Sequence, residues 1–400
     1  EFRYQGEPRR LAEAGFVTPL MYVLEGSPVP TEEAVAKVNN SYLEAPAQRT
    51  SSKRFLPLDA FRGLIILLLV SDGLGFRALE KHPIFHVFGQ QFEHVDWIGT
   101  HFYDLIAPAF LFMVGVSMSY SVGSRAEQGV SFRQNFRRVG MRCLRLTVLS
   151  QIIISIEENR LHFQMHNILT HIAVACFLCF LIMQLDFKWQ VAAAVALLVI
   201  HTVPFFLFPA PDGPFTKTGN IAAVIDRAIM GYNYESWTTN FNMISTSVTA
   251  LFGVWTGNLL RSSLPRPRQM QILGVAMLVG FGAGLGLMPL VPSIRRIWTA
   301  SFVFWSAGWV ILMFLALYLL IEVAGLRAIV FPLTVAGANT IFIYTLSEVL
   351  RDWLDKSVIV FTRDFRFFGA FGPVAQSCVV LAVMWYLCYW LYRRNIFLRL

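Results

Sequence analysis

Between Phe92 and Asp104 the chain reads FEHVDWIGTHFYD, which places His94, Asp96, His101 and Asp104 within eleven residues. Two imidazoles and two carboxylates so close together admit four chemistries. An imidazole titrates near neutral pH and a carboxylate can fix its tautomer, so the group suits a general base or an acyl-accepting nucleophile. The same side chains could pass protons in a transporter. They could also ligate a metal, since His82 and His86 have a helical ligand spacing and His94 and His101 follow. That segment, HPIFHVFG, contains Pro83, nothing reads H-E-x-x-H, and no metal is expected. The fourth reading is interfacial decoration without chemistry.

The elements that must position these groups are membrane helices. The 400 residues are 56% hydrophobic and only 14% charged, with 35 Phe and 10 Trp, whereas soluble domains are near a quarter charged. Apolar runs of bilayer length lie near 56–78, 103–122, 138–157, 166–185, 188–208, 242–261, 270–290, 297–323, 330–351 and 373–393. Backbone polar groups in lipid must be satisfied within their own segment, so these runs are helices. The expected fold is all-α, a polytopic membrane protein of about ten transmembrane helices. Residues 1–52 are polar and read as a cytoplasmic N-terminal extension, with a short helix over 30–45 capped by Thr31. Residues 53–400 form the transmembrane domain. No signal peptide is visible, and the opening on Glu1 rather than Met leads us to expect that a natural start, or a region upstream, is missing.

The net charge of +8 is no sign of nucleic-acid binding, because the basic residues gather at helix ends. Lys53, Arg54, Arg125, Arg133, Arg137, Arg138, Arg261, Arg266, Arg268, Arg393, Arg394 and Arg399 all fall on one side of a ten-span chain. Both termini are therefore expected in the cytoplasm. Arg295, Arg296, Arg351, Arg363 and Arg366 break the rule by falling on the other side, together with the His94 segment. The five cysteines lie in apolar runs, and Cys176-x-x-Cys179 reads as two buried small residues. Gly253 and Gly257 form a G-x-x-x-G pair, expected to make a helix contact within the bundle, with contact between two chains of a homodimer as the alternative.

Charged residues inside spans cost about 2.5–3.5 kcal/mol each on insertion scales and mark function by default. Asp72 closes the first run, Asp104 opens the second, Arg142 and Arg145 lie in the third, and His171 lies in the fourth with Asn167 a turn before it. Asn339, Thr340, Tyr344, Ser347 and Glu348 line the ninth. Taken singly these have ordinary explanations, such as arginines snorkelling to the surface or an amide bonding a neighbouring helix. The concentration around His94 does not.

FEHVDWIGTHFYDLIAPAFLFMVG resembles the signature of the heparan-α-glucosaminide N-acetyltransferase family, in its bacterial branch. LDAFRG (58–63), GNIAAVIDRAIMG (219–231), NMISTSVTALFGVWTGNLL (242–260), RRIWTASFVFWSAGW (295–309), VAGANTIFIYTLSEVL (335–350) and the closing YRRNIFLRL follow in the family's order. The resemblance covers roughly 54–400. It implies a membrane acetyltransferase that takes acetyl-CoA from the cytoplasm and acetylates the amine of a terminal glucosamine-type sugar or glycan beyond the bilayer, here a bacterial inner membrane. The family's catalytic histidine corresponds to His94. An asparagine near the outer end of the family's first helix corresponds to the neighbourhood of Asp72, where the amide is replaced by a carboxylate. A family Gln-Arg pair in the fourth helix is replaced by Thr170-His171. On this reading His94, Asp72 and Asp104 are catalytic, with Asp104 orienting His101, and Asp96 or Asp72 pairing with His94. Arg138, Arg142, Arg145 and His171 hold CoA, and Asp96, Trp97 and His101 meet the sugar. The alternative is a secondary transporter of a sugar or other small solute that uses the same histidines and acids for protons; acetyl-CoA dependence separates the two.

Overall fold

The structure is a computed structural model, and it describes residues 55–161, 163–231, 239–326, 328 and 330–398. The extension expected over 1–52 and its helix lie outside these residues. The described chain is helical, with no β-strand among the described residues. The principal helices are α1 (Leu56–Val70), α2 (Phe102–Glu127), α3 (Phe132–Glu157), α4 (Ile168–Ile182), α5 (Phe187–Leu207), α6 (Ile221–Met230), α7 (Asn242–Arg261), α8 (Arg266–Leu287), α9 (Ala300–Val323), α10 (Val330–Ala338), α11 (Thr340–Thr362) and α12 (Gly372–Arg393).

Six of these (α2, α3, α5, α7, α8, α9) and the segment Phe365–Arg393, which includes α12, are long and apolar enough to cross a membrane. The pair α10–α11, bent by 78°, makes eight if it is one span. The chain is thus an all-α polytopic membrane protein, but the expected ten spans are not all found. Two expected spans are short: α1 and α4 have 15 residues each, about 22 Å of helix against about 30 Å of hydrocarbon.

The first span, expected to reach residue 78, stops at Val70 for a local reason. Asp72, Gly73, Leu74 and Gly75 all take positive φ, at 49°, 64°, 59° and 69°. Four successive left-handed residues cannot continue a right-handed helix. The ninth run likewise breaks at Asn339 (φ −126°, ψ 45°), then continues to Thr362 rather than ending at 351. Its side chain is used at the break, where the Asn339 amide donates to the Ile396 carbonyl at 3.1 Å and its oxygen accepts from the Leu398 N–H at 3.0 Å.

Helix α7 is the axis of the bundle. Of its most apolar stretch 72% is buried in protein, against 17% for α8 at the periphery. It packs on α2 with almost no side chain between the backbones. A Cβ on Gly115 would run into the Ala250 carbonyl, one on Gly253 into the Phe112 carbonyl, and one on Gly257 into Ser119. The G-x-x-x-G pair therefore serves a contact inside one chain.

Helices alternate in direction, so their ends form two faces. At one face Arg261 at the end of α7 donates to Glu127 at the end of α2 (2.8 Å), and Arg266 lies over the Phe55 ring before α1. This is the basic face. At the other, the loops after α1, before α2, after α5 and after α8 converge on His94.

Candidate active site

His94 sits on the loop over 91–101, which is pinned on three sides. The Tyr103 N–H donates to the Gln91 carbonyl at 2.9 Å. Glu93 pairs with Arg77 at 2.6 Å, and its carbonyl takes His101 Nδ1–H at 2.9 Å. The Gly99 N–H donates to the Ser293 carbonyl at 2.9 Å, and Thr100 Oγ1 is 3.2 Å from Ser293 Oγ. Gly99 has φ 123°, a conformation that suits glycine.

Asp104 lies in the first turn of α2 and is 1% exposed. A buried carboxylate must be fully partnered, and Asp104 is. Oδ2 accepts the His101 N–H at 2.9 Å and the Val95 N–H at 3.3 Å. These bonds satisfy backbone donors at the helix start, where a negative charge is favoured. Oδ1 accepts His94 Nδ1–H at 2.9 Å and lies 3.6 Å from Arg295 Nη1. The carboxylate can only accept, so His94 carries its proton on Nδ1 and leaves Nε2 with a free lone pair. The side chain of His94 is 36% exposed. It is a base open to the mouth and tethered from behind.

The electrostatics favour the neutral ring. Burial pushes the His94 pKa below its ordinary value, and the Arg295 cation pushes it further down, against the raising effect of the Asp104 hydrogen bond. Arg295 is itself largely, though not fully, covered, and burial lowers its guanidinium to about 10, which still leaves it charged at neutral pH.

Tyr103 links this dyad to Asp72. Its ring centroid is 4.8 Å from that of His94, and its hydroxyl donates to Asp72 Oδ1 at 2.8 Å. Asp72 is exposed at the mouth. The turn that carries it is held from α11 and α12. Arg351 Nη1 and Nη2 donate to the Val70 and Ser71 carbonyls at 2.7 and 3.0 Å. Ser347 also donates to Val70 (3.2 Å), and Ser377 to Ser71 (2.9 Å).

The expected residues divide as follows. His94, Asp104 and Asp72 come together in one mouth. The expected pairings differ: Asp104 holds the ring of His94 rather than that of His101, and Asp72 reaches the dyad through Tyr103. Asp96 does not pair with His94; it forms an exposed ion pair with Lys217, which holds its carboxyl below the usual range. Trp97 donates its indole N–H to the Phe215 carbonyl at 2.8 Å, so it clips the loop after α5 to the rim. His101 spends Nδ1 on Glu93. The cause is backbone geometry: Asp104 at i+3 from His101 reaches back to that residue's N–H, which leaves Oδ1 for the ring arriving from the loop.

Arg138, Arg142 and Arg145 share one face of α3, running from near the basic face to mid-helix, and none has an ion-pair partner among the described residues. Arg142 Nε is buried without a hydrogen bond. His171 is buried in α4, and its Nε2 also lacks a partner. Among the described residues no three His, Cys, Asp or Glu side chains gather as a metal-holding group.

Tyr103, Arg295 and Arg351 were not singled out for a role from the sequence. A signal existed for two of them. Arg295 and Arg351 are among the five arginines that break the charge asymmetry of the helix ends. A charge on the disfavoured side needs a local reason, and here each has one.

These features define a polytopic membrane protein with a histidine–carboxylate dyad at one helix-end face. Residues 54–271 match the family model described as heparan-alpha-glucosaminide N-acetyltransferase, catalytic, and the chain belongs to that family. Two curated relatives named heparan-alpha-glucosaminide N-acetyltransferase are similar to it. The Mus musculus protein is 24% identical over 378 residues, covering 76% of this chain and 55% of the relative. The Homo sapiens protein is 22% identical over 412 residues, covering 86% and 59%. The chain thus spans less than two thirds of the length of these relatives. The matched segment contains Asp72, His94 and Asp104, while Arg295 and Arg351 lie beyond it.

Proposed function

We propose that the protein is a membrane N-acetyltransferase that moves an acetyl group from acetyl-CoA to the amine of a glucosamine-type sugar or glycan. The single observation that carries this reading is the orientation of His94: Nδ1–H is spent on buried Asp104, and Nε2, without a hydrogen-bond partner among the described residues, is left for the mouth shared with Asp72. The relatives' names and the family match support the same class of reaction.

The chemistry balances without a further reagent. An acceptor ammonium gives its proton to His94 Nε2, and the neutral amine attacks the thioester carbonyl. The C–N bond forms, the C–S bond breaks, and CoA leaves as the thiolate, which takes up the proton. The second proton, shed by the cationic nitrogen of the tetrahedral adduct as the amide forms, goes to solvent. Asp104 stabilises the imidazolium formed in the first step and holds its ring in place. In the second route His94 Nε2 takes the acetyl group itself and passes it on; burst kinetics separate the two.

CoA brings several phosphate charges, and Arg138, Arg142 and Arg145 are its proposed partners at the basic face, with His171 deeper in the bundle. The concentration of Arg125, Arg133, Arg137, Arg261, Arg266, Arg268, Arg393 and Arg394 supports a cytoplasmic location for that face and for both termini. The His94 mouth then opens outside, and the membrane is the bacterial inner membrane. Asp96, Trp97 and His101 form the rim that the sugar passes.

The test is acetyl transfer in proteoliposomes, with acetyl-CoA on one side and glucosamine or a glucosamine-ended oligosaccharide on the other. Product with the wild type and none with His94→Ala supports the reading. Solute uptake that needs no acetyl-CoA would overturn it in favour of a transporter.

A further inference from the structure

Asp72 stands on a strained stretch of backbone that its own hydrogen bonds, Leu74 N–H to Ser71 at 3.1 Å and Gly75 N–H to the Asp72 carbonyl at 3.3 Å, hold only in part. Ser71 ends α1, and Asp72, Gly73, Leu74 and Gly75 follow with φ of 49°, 64°, 59° and 69°. Two of these carry side chains, and a side chain disfavours the left-handed region. Such a conformation persists only where its surroundings over-determine it. Tertiary contacts supply the rest of that constraint. Four side-chain donors converge on two carbonyls: Arg351 Nη1 and Ser347 on Val70, Arg351 Nη2 and Ser377 on Ser71. Gly75 packs so closely on α12 that an added Cβ would lie 2.9 Å from the Pro373 carbonyl. Gly73 is as tightly set on the other side, against Phe92 and Tyr103.

Arg351 is the charged member of this set. The last carbonyls of a helix carry partial negative charge and lack intrahelical donors, so a guanidinium bridging two of them is favourable and fixes where the helix stops. Its fork geometry reaches both oxygens at once, which an ammonium cannot do. Asp355 steadies it from the next turn at 3.7 Å. The position so fixed faces the site: Asp72 Oδ1 takes the Tyr103 hydroxyl, Tyr103 lies against His94, and the second carboxylate oxygen has no partner among the described residues.

We propose that Arg351 is a positioning residue for the transfer reaction. By clamping the end of α1 it sets the left-handed turn that presents Asp72 to the acceptor ammonium beside His94. This rests on the reading of His94 as the transfer centre. It also gives the helices beyond the family match a part in the site.

The experiment pairs kinetics with hydrogen–deuterium exchange on the full chain in nanodiscs. In Arg351→Met the amides of 71–75 should exchange at least about tenfold faster, with 58–66 unchanged. The KM for the acceptor amine should rise about tenfold or more while the KM for acetyl-CoA holds, and Arg351→Lys should recover part of the loss. Because Arg351 acts through Asp72, adding Arg351→Met to Asp72→Asn should cost little more than Asp72→Asn alone. Unchanged exchange in 71–75, or fully multiplicative effects of the two substitutions, would overturn the proposal. A wild type that acetylates no amine would instead overturn the functional reading, and this role with it. Faster exchange in that case would mark Arg351 as a helix-end clamp only.

Discussion

His94 Nδ1 lies 2.9 Å from Oδ1 of Asp104, a carboxylate that is almost fully buried and also accepts two backbone N–H groups. The buried partner is held by three hydrogen-bond donors and the Arg295 ion pair at 3.6 Å, so the imidazole cannot turn without breaking the hydrogen bond that selects its tautomer. Two substitutions test this. His94→Ala should lower kcat by about 10²–10⁴-fold, the usual contribution of a positioned acid–base group. Asp104→Asn keeps the shape but removes the charge and can donate to Nδ1, reversing the tautomer. It should cost kcat a similar factor with the acetyl-CoA KM little changed, as measured by initial rates on both substrates.

The pH profile follows from the same geometry. The folded pKa of His94 is depressed by burial and by Arg295, so the neutral ring persists below 6.5, its unperturbed value. Activity needs the neutral form, so it should be constant near neutral pH and fall on the acid side with a midpoint below 6.5. Removing the cation in Arg295→Gln removes one cause of the depression, and the acid limb should move to higher pH. A limb that stays in place, or moves to lower pH, would contradict this assignment.

Much of the bundle was legible because hydropathy alone marks a membrane helix, and α2, α3, α5, α7, α8, α9 and α12 coincide with runs read from the chain. The turn at Asp72–Gly75 was not legible, because periodicity does not register a left-handed backbone held by side chains some 280 residues away. The site was half legible. Two histidines and two acids within eleven residues declared a centre, but which carboxylate meets which ring depends on how a loop folds back. Arg295 joins from another loop nearly 200 positions later, and only its misplaced charge gave notice of it.

The rim should tolerate what the centre does not. Asp96 and Lys217 form a solvent-exposed pair, and such pairs contribute little. Asp96→Asn should therefore change kcat/KM for glucosamine by less than about fivefold, read beside Asp72→Asn in the same assay. An effect as large as that of Asp72→Asn would show Asp96 gripping the sugar directly.

The bundle should fail where backbones touch. Gly115 of α2 faces the Ala250 carbonyl of α7 with no room for a Cβ. Overpacking a tight core typically costs about 1–3 kcal/mol and more where backbone must move. Gly115→Leu should lower the melting temperature in detergent or prevent folding, whereas Gly140→Ala, with open space around it, should not.

At the opposite face the prediction concerns the donor. Arg142 is half-buried on α3, with Nε desolvated and unpartnered. Desolvated donors cost free energy until an anion meets them. If the CoA phosphates are that anion, Arg142→Gln should raise the KM for acetyl-CoA by about tenfold or more, since a charge-assisted hydrogen bond is worth about 1.5–3 kcal/mol. The acceptor KM and the acid limb should stay in place, because Arg142 lies in the half of α3 nearer the basic face and His94 lies at the opposite mouth. Isothermal titration with CoA in nanodiscs checks the same loss without turnover. An unchanged CoA affinity would remove Arg142 from the donor site and direct attention to the other arginines of α3.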